Sequence, residues 1–144
     1  MPALLTKLRR SLADLMVLAM AAATAQAAPP CPAPPGFDAR GRIELTEVVV
    51  LYRTVPPAIE VGRHFAVEAF VCARPPAAVT AVRVDAQMPE HRHGMNYRAR
   101  VSAKGDGLYV AEGLLFHMPG RWQLLFDVER GGRTERLEAE VVLE

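Results

Sequence analysis

Histidine and methionine are distributed unevenly in this 144-residue chain. Beyond the first 27 residues there are three methionines (Met88, Met95, Met118) and four histidines (His64, His91, His93, His117). All but His64 fall in two short segments, Met88-Pro89-Glu90-His91-Arg92-His93-Gly94-Met95 and His117-Met118-Pro119. Thioether sulfur is a soft donor that favours Cu(I), while imidazole serves Cu(I), Cu(II) and Zn(II). His91 and His93 are two residues apart, so extended backbone points both rings to one side. Gly94 permits the turn that brings Met95 back toward them, and Pro89 and Pro119 stiffen the flanks. The set Met88, His91, His93, Met95, His117 and Met118 is therefore a candidate copper site, with Cu(I) favoured over Cu(II). No fourth carboxylate or cysteine completes a zinc set in the local sequence, so zinc ranks below copper. The competing reading is structural: methionines at strand ends commonly fill cores. His64 stands apart and reads as structural.

Catalytic patterns are missing. No Ser/His/Asp constellation, phosphate-cradling glycine loop or cysteine with a nearby base is present, so a non-enzymatic role without a small-molecule substrate is expected. A blue-copper centre needs a cysteine among its histidines, and Cys72 lies outside the cluster.

The elements that must position these residues have period two. Glu44–Tyr52, His64–Cys72, Val79–Met88, Tyr97–Ala103, Leu108–Phe116, Trp122–Glu129 and Arg133–Leu143 read as strands. Gly105-Asp106-Gly107 and Gly131-Gly132 are the clearest hairpin turns. About seven short strands without an amphipathic helix predict an all-β, antiparallel sandwich, immunoglobulin-like or cupredoxin-like. Residues 40–144 are assigned to this domain. Residues 28–39 carry five prolines before Gly36 and read as an extended arm.

Residues 1–27 read as a helical signal peptide. Lys7, Arg9 and Arg10 are basic, Leu12–Ala23 is apolar, and Ala25-Gln26-Ala27 has the small-x-small form of a cleavage site. The apolar run is short for a membrane span, which makes a retained anchor the lesser alternative. A periplasmic or secreted location is expected. Removing this segment leaves 14 Lys/Arg against 15 Asp/Glu. The charges read as mixed along the chain, without the basic stripe that nucleic acid requires. An even cysteine count in an exported protein points to a Cys31–Cys72 disulfide, with metal ligation the alternative.

The stretch Met88–Met95, then Gly105-Asp106-Gly107-Leu108-Tyr109, then Phe116-His117-Met118-Pro119-Gly120-Arg121-Trp122, resembles the YtkA-like domain family, which is related to FixH-type proteins. The resemblance is specific over Val84–Val128 and weak over Arg40–Cys72; the arm and the cysteines are not part of it. Arg92 stands where glycine is common. The resemblance implies an exported or membrane-tethered immunoglobulin-like domain with links to copper handling and oxidase assembly. By position it carries Met88, His91, His93 and Met118 as candidate ligands; Met95 and His117 are additions of this sequence. It equally allows Met88-Pro89 and Met118–Trp122 to be a packing signature with Trp122 as the core aromatic. Two functions follow as expectations. One is a copper-handling module of metallochaperone type that serves an envelope copper acceptor or an oxidase-assembly protein. The other is a metal-free interaction module of the envelope.

Overall fold

Strands that bury one face must alternate, and the computed structural model, which describes residues 27–144, shows that alternation. The described part contains nine strands: β1 (Gly41–Glu44), β2 (Val48–Val55), β3 (His64–Ala73), β4 (Val79–Met88), β5 (His93–Gly94), β6 (Arg100–Gly105), β7 (Leu108–Leu115), β8 (Gly120–Arg130) and β9 (Arg133–Leu143). They form two antiparallel sheets, β1-β2-β3-β7-β6 and β5-β4-β8-β9. The all-β sandwich expected from the sequence is thus observed, with two short strands, β1 and β5, beyond the seven expected. Tyr97 was expected to open a strand, but it lies in the connection that crosses from one sheet to the other, and β6 begins at Arg100. Among the described residues no helix is long and apolar enough to cross a membrane. The signal-peptide reading falls almost wholly outside the described residues.

Phe65, Val67, Ala69 and Val71 of β3 point into the main core, as do Val82, Val84, Ala86 and Met88 of β4. Val48–Leu51 breaks the rule, being buried throughout. Its inner residues, Val48 and Val50, join the main core. Its outer residues, Val49 and Leu51, are covered by the proline-rich arm through Cys31 and Phe37. The Cys31–Cys72 disulfide forms, with Cα atoms 5.6 Å apart, and pins the arm to β3.

Two charged clusters fasten the second sheet. Arg130, 3% exposed, donates to the carbonyls of Arg74 (2.7 Å) and Ala77 (3.3 Å) and to Glu135 (3.0 Å), with Glu47 at 3.6 Å. It thereby ties the β3–β4 connection to the end of β8. On the outer face, Arg136 of β9 grips both oxygens of Asp127 on β8, at 2.7 and 2.8 Å. The hydrogen bond from Arg136 holds the Asp127 carboxyl below its ordinary range. A lowered folded pKa means that the stabilisation is complete above the unfolded value, about 3.9, and is lost as pH falls through the folded value. The stability gap between the wild type and Asp127→Asn, measured in urea, should be constant from neutral pH down to about 5 and shrink below about 4. A gap that persists undiminished in acid would exclude this linkage.

Candidate metal site

The first histidine segment is a hairpin tip. β4 and β5 pair through Gln87↔Gly94 and Met88↔His93, which leaves a four-residue loop, Pro89–Arg92. The amides of His91 and Arg92 donate back to the carbonyls of Met88 (3.2 Å) and Pro89 (3.3 Å). Arg92 closes the turn with a φ of 55°, left-handed backbone that suits glycine better than arginine. The second segment, Phe116–Pro119, links β7 to β8 across the sandwich. The β4–β8 register, running to Gln87↔Gln123, sets the two segments side by side.

Three imidazoles meet there as a ladder. Ring centroids of His91 and His93 lie 5.8 Å apart, and those of His93 and His117 lie 5.1 Å apart. The ladder rests on Trp122, whose ring is 6.0 Å from His93 and 5.4 Å from His117, edge to face in both cases. Trp122 is stacked on Phe116 at 4.4 Å, and Phe116 meets Phe65 at 4.9 Å. An aromatic column thus runs from the core to the exposed His91. The indole N–H donates to the Met118 carbonyl at 3.1 Å, which fixes the 116–119 turn against the ring.

Two nitrogens stand out. His93 Nδ1 lies 3.1 Å from the Gly94 carbonyl. A carbonyl only accepts, so in the neutral ring that contact assigns the proton to Nδ1 and leaves the Nε2 lone pair free, the arrangement that usually orients a metal-binding imidazole. His117 Nδ1 is buried without a hydrogen-bond partner among the described residues. Such an orphan costs about 1–3 kcal/mol unless something occupies it. As placed, no group of three His, Cys, Asp or Glu side chains among the described residues already converges as a metal site.

The methionines divide. Met88 is 1% exposed in the main core, and its methyl would lie 2.8 Å from a Cβ added at Gly120, so the two segments pack through a thioether on bare backbone. Its position is that of the packing signature. Met95 and Met118 are half-buried against the same core. His64 lies apart from the ladder and stacks edge-on to Tyr97 at 5.3 Å. Sequence reasoning did not assign Trp122 to the site, although its place four residues after Met118 signalled the contact.

The YtkA-like family model matches residues 52–126. The chain belongs to the YtkA-like family. The matched span covers all six candidate ligands, Trp122 and Cys72, but neither the arm nor Cys31, so the YtkA-like core is extended here by a stapled N-terminal segment. A solved structure of a DUF4426 family protein from Pseudomonas aeruginosa PAO1 is similar at a TM-score of 0.45 and 12% identity, over 72% of this chain and 95% of that one. Comparison with curated proteins gives no match.

Proposed function

We propose that this YtkA-like domain is an exported copper-handling module that holds Cu(I) between His93 and His117 and exchanges it through the exposed His91. The observation that supports the reading most is the buried, unpartnered Nδ1 of His117 beside an imidazole whose tautomer leaves Nε2 free. Cu(I) is satisfied by few, soft or borderline donors, which suits a pair of imidazoles with Met118 or Met95 as a thioether neighbour. Met88 supports the site by packing. The disulfide agrees with an oxidising compartment, where thioether and imidazole replace thiolate. The acceptor in this reading is an envelope copper protein or an oxidase-assembly factor.

Titration of the purified protein with Cu(I) against a competing chelator tests this. The expected Kd is below about 1 µM, weakened roughly 100-fold or more by the His93→Ala/His117→Ala double substitution and unchanged by His64→Ala. Binding weaker than micromolar, or a double variant that binds as well as the parent, would sink the copper reading. One observation favours the second reading, a metal-free interaction module: a bare strand edge lies beside the site.

A further inference from the structure

That edge belongs to β4. On one side β4 pairs with β8 from Val79 to Gln87. On the other, β5 covers only Gln87 and Met88, and the Met95 amide adds one bond to the Ala86 carbonyl at 3.2 Å. The Ala86 amide is closed off by the Asp85 carboxylate at 2.8 Å. Backbone groups alternate in direction along a strand, so Val84 and Val82 turn their N–H and C=O the same way as Ala86. No strand among the described residues pairs with them there. The irregularity between Val79 and Ala81 ends the usable edge, which is Ala81–Asp85.

A groove of about 590 Å³ runs along this edge. One wall is Val82–Asp85; the other includes Met95, Tyr97, Arg98 and Val101. Tyr97 is half exposed at its rim. Arg98 lines this groove and Arg92 the adjoining hollow beside Asp85 and Ala86. Both belong to a segment in which, between Glu90 and Asp106, there are four cations, Arg92, Arg98, Arg100 and Lys104, and no acid. None of the four takes part in an ion pair among the described residues. Of the other charges that line the groove, Arg83 is paired with Glu129 and Asp127 with Arg136, while Asp85 accepts from the Ala86 amide and keeps its charge. With four unpaired cations on the segment against Asp85, the unpaired charge along this edge is predominantly positive.

We propose that the β4 edge receives an extended, acidic peptide segment of a partner protein, which adds as a strand beside Ala81–Asp85. Main-chain bonds to Val82 and Val84 would supply affinity, and acidic side chains of the added strand would meet Arg98 on the facing wall. A second copy of this chain fits worse, because its own edge brings the same surplus of cations. The inference stands apart from the copper reading, since none of its residues is a candidate ligand except Met95 on the groove wall.

The test uses a fluorescent peptide of alternating Glu and Val, its Lys-for-Glu counterpart, and the acidic peptide N-methylated at alternate amides. Binding to the purified protein is followed by anisotropy at about 50 and 300 mM salt. The acidic peptide should bind saturably, more tightly at low salt, and slow hydrogen exchange at the Val82 and Val84 amides. The Arg98→Glu substitution should weaken it about tenfold or more, while N-methylation should abolish it. Equal binding of the lysine peptide, indifference to N-methylation, or no binding would overturn the proposal. So would concentration-dependent dimers that protect the same two amides, or an equal dependence on Arg98 for anionic vesicles.

Discussion

Replacing Arg130 by alanine is expected to lower the unfolding free energy by about 3–5 kcal/mol, the range for breaking a buried charged cluster by removal of one partner. The guanidinium is 3% exposed and serves two carbonyls and Glu135, with Glu47 nearby. Alanine would leave those acceptors without their donor, in a place where water enters poorly. The β3–β4 connection, which carries the chain between sheets, would lose its attachment to β8. Arg130→Met should fall between, since it keeps the apolar stem and removes the charge. The check is urea unfolding at neutral pH, with a shifted midpoint at unchanged slope. A loss under about 1 kcal/mol would show that the cluster contributes no more than an exposed pair.

The second large effect belongs to the disulfide. Cys31 and Cys72 are 41 residues apart, and closing a loop of that size stabilises a fold by about 3–4 kcal/mol in the chain-entropy account. The double Cys31→Ser/Cys72→Ser variant should lose about that much. It should also become open to proteolysis before Gly41, because the arm would then be held over Val49 and Leu51 only by packing, chiefly of Phe37. Copper affinity at the proposed site should be unchanged. Cys72 lies eight residues along β3 from His64, which pairs with Leu115 beside the histidine turn, roughly 26 Å away at strand rise. A variant as stable as the parent would refute the stabilising role, and a variant that lost copper affinity would refute the separation of the two ends.

Much of the fold was legible because alternation is a local signal. β3, β4 and β7 through β9 announce themselves by period two, and an even cysteine count announced the disulfide. What escaped depends on contacts distant in sequence. β5 is two residues long and exists only because the Pro89–Arg92 turn returns the chain onto β4. Tyr97 carries a strand-favouring side chain, but its segment has to leave one sheet to reach the other. Arg130 reads as an ordinary surface charge at a strand end, and its burial comes from carbonyls some 53 to 56 residues away. In the site, the clustering of His and Met was visible, while the roles of the methionines were not. A methionine at a strand end serves core and ligand equally well until its methyl is found over Gly120. The run of cations from Arg92 to Lys104 was in plain view in the sequence, hidden by a near-neutral total.

Trp122 is the only tryptophan in the chain and is fully buried. Its indole faces the core through Phe116 and the histidine ladder through its other contacts. The molecule therefore carries a built-in optical sensor with two inputs. Loosening of the interior and displacement of His93 or His117 both alter the surroundings of one emitter, and its spectrum can be followed without any label.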